Sequence, residues 1–211
     1  MTPPVTIFIV DDDPSARKGL VLLVRSAGWH GEAFASAREF LARPAFSGVG
    51  CVILDVRMPG MTGLELRDAM AAQNISLPIV FLTGHGDVPT GVDAMKKGAV
   101  DFLQKPVDDE ALLEAIQRAL EQHAAARNHR QEVERIQARL HRLTPREHEV
   151  MEYVIGGSLN KQIAAELQIA EATIKQHRGL VMQKMEVSSV PELVRQCATA
   201  GVKPRTVISS P

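Results

Sequence analysis

Four short apolar runs in the first half of the chain end in side chains that can carry out chemistry. Runs of this kind, bounded by turn-forming residues, are typical of buried β-strands. In an open parallel sheet, ligands bind beyond the carboxyl ends of the strands, so we expect the side chains that follow the runs to lie close together. The runs span residues 5–10, 51–54, 79–82 and 100–103, and the side chains at or just after their ends include Asp11, Asp55, Thr83 and Lys105.

Helix signals fill the intervals between these runs. Asp13 and Pro14 are typical of the cap and the first turn of a helix. Because each parallel crossover needs a covering helix, the alternation predicts a five-stranded, doubly wound parallel α/β sheet. The fifth strand is a weaker candidate at residues 30–34, and helices are predicted to begin at residue 14 and near residues 37, 63, 89 and 108.

The helix that begins near residue 108 has no obvious end. Residues 108–143 contain neither Gly nor Pro, and most of residues 121–139 are good helix formers. Val133, Ile136, Leu140 and Leu143 are spaced three, four and three apart, which resembles a short heptad seam. Two interpretations remain open at this point: an amphipathic linker helix that packs on its own domains, or a helix that dimerises.

A second, all-helical domain is predicted to begin at Thr144-Pro145-Arg146-Glu147. Thr at the N-cap, Pro at the first helical position and Glu three residues after the cap form a capping box. Gly156-Gly157 interrupts this helix, and three more helices are predicted at residues 160–167, 171–185 and 189–200. The segment 203–211 contains two prolines and three Ser or Thr residues and is predicted to be disordered.

The two halves of the chain differ in charge. Residues 1–125 hold 11 Lys and Arg against 16 Asp and Glu, a net of -5, and residues 126–211 hold 13 against 9, a net of +4. The acidic half suits a cation site, and the basic half suits a polyanion such as DNA. Two solvated surfaces of different composition would also explain this charge asymmetry.

The remaining sequence features favour a cytoplasmic protein without a membrane partner. No apolar stretch approaches the roughly 20 residues that span a bilayer. The first residues lack the basic and apolar regions of a signal peptide. Cys51 and Cys197 lie far apart without the spacing of metal ligands, which is typical of a reduced compartment.

Together these motifs make the chain resemble a two-component response regulator, with a receiver domain followed by a helix-turn-helix domain of the LuxR (FixJ-like) type. The resemblance covers residues 5–202. It implies a flavodoxin-like receiver at residues 1–123, a linker helix at 124–142, a four-helix DNA-binding domain at 143–203 and a disordered tail at 204–211. The receiver motifs are Asp11-Asp12, Asp55-Val56-Arg57-Met58-Pro59-Gly60, Thr83-Gly84-His85-Gly86 and Lys105-Pro106, and the DNA-binding motifs are Leu143–Glu147, Asn160–Ala164, Ala172–Arg178 and Met182–Met185.

The resemblance implies that Asp55 is the phosphoacceptor. A hard cation, Mg²⁺ or Mn²⁺, would be bound by Asp12, Asp55 and the backbone carbonyl of Arg57, with Asp11 acting mainly through a metal-bound water. The carboxylate of Asp55 would attack the phosphoryl donor and form an acyl phosphate.

The resemblance also assigns roles around the phosphoryl group. Lys105 and Thr83 would contact its oxygens, and Phe102 would turn inward with Thr83 as the switch. The Lys105-Pro106 bond is expected to be cis at Pro106. Arg57 and His85 would tune the rate of dephosphorylation.

In the helix-turn-helix, we expect Lys175 and Gln176 to reach base edges in the major groove. Two departures from the family pattern matter: Ala170 stands where a Ser cap is usual, and Gly179 where some relatives carry a basic side chain. The side chains expected to contact phosphate are Lys161, Thr173, Arg178 and Lys184.

These features predict a phosphorylation-dependent transcription regulator, an activator by default, and not an enzyme. Its expected partners are a sensor histidine kinase, double-stranded promoter DNA, a second copy of the chain after phosphorylation, and RNA polymerase. One alternative is a DNA-binding or protein-interaction module that acts constitutively. Another is a phosphatase or phosphotransferase, which is disfavoured because Arg57 stands where haloacid-dehalogenase-type phosphatases carry a second Asp.

Overall fold

A computed structural model describes residues 5–84 and 99–207 of the protein. The chain forms two compact units, Met1–Arg127 and Asn128–Pro211. Among the described residues, no helix is both long enough and apolar enough to cross a membrane.

The first unit is built on a five-stranded sheet of order β2-β1-β3-β4-β5, in which all neighbouring strands are parallel. The predicted doubly wound sheet is therefore confirmed. The strands are β1 (Thr6–Val10), β2 (His30–Phe34), β3 (Gly50–Asp55), β4 (Ile79–Thr83) and β5 (Asp101–Gln104).

Local sequence signals set the ends of the helices that precede β4. Asp13 caps the first helix by accepting a hydrogen bond from Ser15 N–H, with Pro14 at its first position. Thr62 and Glu65 form a capping box at the third. These helices are α1 (Pro14–Ser26), α2 (Ala37–Leu41) and α3 (Gly63–Ala72). The helix predicted near residues 89–97 lies outside the described residues.

Two apolar clusters cover the two faces of the sheet. On β3, Val52 and Leu54 belong to one cluster, while Cys51 and Ile53 belong to the other. The side chains of a strand alternate between faces, so a strand buried on both faces reads as a continuous apolar run. The runs that identified the strands in the sequence are a consequence of this double burial.

The second unit is all helical. Helix α4 (Asp109–Leu140) begins in the first unit, where Leu112 and Ile116 are buried in one of the two clusters on the sheet. It continues past Arg127 into the second unit, covers most of the predicted linker and is followed by four shorter helices. The capping box of Thr144 and Glu147 is confirmed. The four helices are α5 (Pro145–Ile155), α6 (Asn160–Glu166), α7 (Glu171–Lys184) and α8 (Val190–Thr199).

The heptad-like seam of α4 packs on the second unit itself. Ile136 is buried in the same apolar cluster as Val150, Ile174 and Leu193, with Leu140 and Leu143 partly buried against it. This burial favours the first interpretation of the seam, an amphipathic helix that packs on its own domain.

The segment that follows α8 is ordered further than its composition predicted. Arg205 N–H donates to the carbonyl of Glu152 at 2.9 Å, and Val207 packs on the second unit's core. Gly156 makes this approach possible, because a Cβ at this position would lie 2.1 Å from the carbonyl oxygen of Arg205. Of the tail predicted to be disordered, residues 208–211 lie outside the described residues.

Candidate functional site

The carboxyl ends of the strands lie at one edge of the sheet, as the sequence predicted. Val10 pairs with Leu54 across β1 and β3, and Asp55 pairs with Leu82 across β3 and β4. Asp11 directly follows β1, and Thr83 is the last residue of β4. This register places the candidate residues of three strands at the same level of the sheet edge.

Three carboxylates meet at this edge. Asp11, Asp12 and Asp55 each offer an oxygen, and these oxygens lie within 4.8 Å of one another. Asp11 is 1% exposed and Asp55 9%, whereas Asp12 is open to solvent. Carboxylate oxygens are the ligands that hard divalent cations prefer, and the open side of the cluster leaves room for the waters that Mg²⁺ retains. The residues present therefore fit a divalent metal ion.

Lys105 provides the positive charge of the site. Its Nζ donates to Oδ2 of Asp11 at 2.7 Å and to Oδ2 of Asp55 at 2.6 Å. Partial burial alone would lower the pKa of Lys105, but the hydrogen bonds and charges of the two carboxylates outweigh burial and raise it. One ammonium opposes three carboxylates, so the cluster retains net negative charge and attracts a cation.

Backbone amides hold the other oxygen of the two buried carboxylates. Arg57 N–H donates to Oδ1 of Asp55 at 3.1 Å, and Asp13 N–H donates to Oδ1 of Asp11 at 2.8 Å. The Arg57 side chain is exposed. The family resemblance assigns Arg57 a metal-binding carbonyl and a tuning side chain, but it does not indicate the amide contact that fixes the rotamer of Asp55.

Two further positions that the sequence analysis missed shape the site. Gly63, the first residue of α3, approaches the backbone so closely that a Cβ would lie 2.3 Å from the carbonyl oxygen of Asp55. Arg17 of α1 donates from Nη1 to the carbonyl oxygen of Asp11 at 2.6 Å. The sequence signals these contacts only weakly. Gly63 stands directly after the cap of α3, and Arg17 stands one turn into α1.

The remaining receiver residues follow or lie on β4 and β5. Thr83 is buried and its hydroxyl donates to the Gly84 carbonyl at 3.2 Å. Phe102 on β5 is half-buried, with its ring 6.2 Å from that of Phe81. The Lys105-Pro106 bond is cis. His85, the predicted tuning residue, lies outside the described residues.

The second unit presents the predicted helix pair, α6 followed by α7. Ile174, Val181 and Met185 are buried, which confirms the predicted core face of α7. Lys175, Gln176 and Lys161 are exposed, and Thr173 is half-buried. Ala170 forms no side-chain cap, as expected from the departure noted at this position. The two predicted base-reading side chains therefore lie on the solvent face of the second helix.

Two of the predicted phosphate contacts already have partners within the domain. Arg178 donates to Oδ1 of Asn160 at 2.6 Å, and so ties α7 to the start of α6. Lys184 donates to the buried carboxylate of Glu147 at 2.6 Å. Burial would raise the pKa of Glu147, but the hydrogen bonds from Lys184 and Thr144 outweigh it and lower this pKa. A phosphate would have to compete with these partners.

Comparison with known proteins identifies both units. Residues 7–117 match the response regulator receiver domain, which is more than half of the chain. Residues 141–197 match the family of bacterial regulatory proteins described as the luxR family.

Similar proteins match nearly the whole chain. Transcriptional regulatory protein FixJ of Bradyrhizobium diazoefficiens is 46% identical over 203 residues, which cover 96% of this chain and 98% of that protein. Response regulator protein TodT of Pseudomonas putida is 46% identical over 189 residues, 90% of this chain and 83% of that protein. The solved structure of response regulator StyR matches with a TM-score of 0.85 at 45% identity, and covers 93% of this chain and 99% of that one.

Proposed function

Because the chain belongs to the two-component response regulators, as a FixJ- and TodT-type transcriptional regulator with a receiver and a LuxR-family DNA-binding domain, we propose that phosphorylation of Asp55 controls its binding to promoter DNA. A response regulator is not an enzyme proper. The observation that carries the proposal is the convergence of Lys105 on Asp55 and Asp11 beside Asp12.

The carboxylate of Asp55 is oriented for nucleophilic attack. The Arg57 amide and the Lys105 ammonium each hold one of its oxygens, so the side chain has one defined rotamer at the open edge of the sheet. An oxygen of Asp55 forms the new bond to phosphorus as the bond to the donor breaks, and the donor of this class is a phosphohistidine of a sensor kinase.

The acidic cluster is suited to the cation that this transfer needs. Asp12, Asp55 and the backbone carbonyl of Arg57 would hold Mg²⁺ or Mn²⁺, and Asp11 would act through a water. When bound, the ion would supply positive charge that offsets the charge of the phosphoryl oxygens.

Phosphorylation then changes the partners of the switch residues. The acyl phosphate places new acceptor oxygens beside Lys105 and Thr83, which exchange their present carboxylate and carbonyl partners for them. Phe102 packs on Phe81 at the edge strand, where it can follow the movement of Thr83. Arg57 and His85 set how long the acyl phosphate survives.

The output is DNA binding by a homodimer in the cytoplasm. Lys175 and Gln176 read base edges, while Lys161 and Thr173 contact phosphate. Arg178 and Lys184 also contact phosphate, which must compete with their partners inside the domain. Two-fold symmetry implies paired half-sites about one helical turn apart. The receiver spans residues 1–123, and the DNA-binding domain spans residues 143–203. The dimer activates transcription through promoter-bound RNA polymerase.

Two experiments test the proposal. Radiolabelled acetyl phosphate with Mg²⁺ should label the wild type and leave Asp55→Asn unlabelled, and label retained on this variant would move the phosphoacceptor elsewhere. Selection from fragmented genomic DNA, with and without beryllofluoride and Mg²⁺, should enrich a paired motif only after activation. Equal enrichment in both states would support the alternative of a constitutive DNA-binding module.

A further inference from the structure

Two arginines at the end of α4 hold one carboxylate that follows α7. Arg139 Nη2 lies 2.7 Å from Oε2 of Glu186, and Arg142 Nη1 lies 2.8 Å from Oε1 of the same residue. Both carboxylate oxygens are therefore engaged by different side chains. Arg139 also reaches the amide oxygen of Gln196 on α8, at 3.5 Å. We call Arg139, Arg142 and Glu186 the Glu186 clamp.

Glu186 occupies the turn that ends α7. Its amide donates to the carbonyl of Gln183 at 3.1 Å, and the next amide, of Val187, donates to Met182 at 3.1 Å. Its φ of +54° is a left-handed conformation that glycine adopts more readily than any other residue. Asn74 and Gln168 end α3 and α6 with nearly the same φ, so the role of the Glu186 side chain rests on its two arginine contacts.

The same end of α4 also makes apolar contacts with the second unit. Ile136 is 1% exposed and lies in the core that also contains Ile174 and Val181 of α7. The clamp holds the C-terminal turn of α7, while this core holds its buried face. The end of α7 is therefore tied to α4 by charge as well as by packing.

From this geometry, and resting on the proposed DNA-binding role of α7, we propose that Glu186 is a positioning residue for DNA recognition. Held by Arg139 and Arg142, it fixes the end of α7 and so the direction in which Lys175 and Gln176 are presented to base edges. The two arginines act through Glu186 and do not contact DNA.

The electrostatics of the clamp support this role. The hydrogen bonds from Arg142 and Arg139 lower the pKa of Glu186, because they stabilise its charged form. Exposed ion pairs contribute little to stability in general. The contribution expected here is to orientation, since base readout depends on side-chain direction more than phosphate contact does.

The test compares two duplexes on the full-length protein activated with beryllofluoride and Mg²⁺. One duplex carries the motif enriched by genomic selection, and the other has the same bases in scrambled order. Discrimination is the dissociation constant for the scrambled duplex divided by that for the motif duplex. For Glu186→Gln we expect this ratio to fall on the order of fivefold, with the affinity for the scrambled duplex and the salt dependence of binding unchanged. If Arg142 instead contacted phosphate directly, Arg142→Gln would lower affinity for both duplexes and reduce the salt slope by about one, which would overturn the proposal.

The control is Arg135→Gln, one turn earlier on α4. Arg135 pairs with Glu132 of its own helix and is 72% exposed, so its loss should leave the ratio unchanged. Glu186→Asp keeps the charge and should restore most of the discrimination. Arg142→Gln should lower the ratio, and the effects of Arg142→Gln and Glu186→Gln should be less than additive, because the two changes share the contact between Arg142 and Glu186.

Glu186→Gly distinguishes a loss of discrimination from a loss of folding. It relieves the left-handed φ while removing the carboxylate. We expect this variant to keep its melting temperature and still lose discrimination. Wild-type discrimination in Glu186→Gly and Glu186→Gln would overturn the proposal while leaving DNA binding intact. Equal affinity of the wild type for both duplexes would overturn the proposed function and the positioning role together.

Discussion

The ammonium nitrogen of Lys184 lies 2.6 Å from a carboxylate oxygen of Glu147, although 37 positions separate the two residues. The same oxygen of Glu147 accepts from the amide of Thr144, the cap of α5, at 2.8 Å. One buried carboxylate therefore joins the first turn of α5 to the last turn of α7. Lys184, expected from sequence to contact phosphate, is part of the structure that holds the recognition helix.

Lys184→Met should destabilise the DNA-binding domain, because it leaves the Glu147 carboxylate buried without its cation. We expect a loss of about 2 kcal/mol, below the range for a fully buried pair, since the Lys184 side chain is 28% exposed. Urea unfolding at neutral pH measures it. Lys161→Met, which changes an exposed lysine, should alter stability by less than about 0.5 kcal/mol. Equal stability of the two variants would mean that the ion pair contributes nothing.

The contribution of Glu147 to the free energy of unfolding should decrease as the pH falls. Its pKa is lowered in the folded state, so the stabilisation is fully present above the ordinary glutamate pKa of about 4.3 and is lost as the pH falls through the lowered value. The difference in unfolding free energy between the wild type and Glu147→Gln should therefore shrink on acidification below about pH 4. A difference that grew in acid would contradict the assignment.

Lys105→Ala should allow phosphorylation of Asp55 but prevent the dimerisation that normally follows it. The variant keeps Asp55 and the acidic cluster, so label from acetyl phosphate is expected to persist, while the contact between lysine and the phosphoryl group is lost. Sedimentation velocity should then detect no dimer after activation. A dimer as stable as that of the wild type would show that Lys105 has no part in the switch.

Gln176→Ala and Lys161→Ala should differ in kind. The first is expected to relax base preference at one position of the motif, by roughly 1–3 kcal/mol, because Gln can pair with adenine in bidentate fashion. The second should weaken binding to all sequences alike and reduce the salt slope by about one. Binding titrations at several salt concentrations measure both. A uniform loss in Gln176→Ala would reassign this residue to phosphate contact or to folding.

Gly156→Ala should displace the segment around Arg205, since the added Cβ would lie 2.1 Å from the Arg205 carbonyl oxygen. We expect faster tryptic cleavage after Arg205 and a stability loss of about 1–3 kcal/mol. Gly179→Ala is the matched control for cleavage, because a Cβ at Gly179 meets no atom within 4 Å. Unchanged cleavage in Gly156→Ala would mean that the contact is not maintained in solution.

The sequence by itself determined the order of the elements and most of their ends. Apolar runs that stop at Asp55 and Thr83, and caps such as Thr144 with Glu147, are local signals, because backbone hydrogen bonding and side-chain periodicity act over a few residues. The same locality identified the carboxylates and the lysine of the site, since each stands at the end of its own strand. Residues 85–98, which include His85, were predicted from the same kind of signal and lie outside the described residues.

Only the tertiary structure decided which of these residues are partners. Lys105 and Asp11 lie 94 positions apart, and Arg139 and Glu186 lie 47 apart, so no periodicity of the chain reports their contact. The order of the strands brings the first pair together, and the packing of α4 on the helical core brings the second. The contact between Arg205 and α5 is also decided by the tertiary structure. It requires that Gly156 has no side chain, and this requirement appears only where the two distant backbone segments meet.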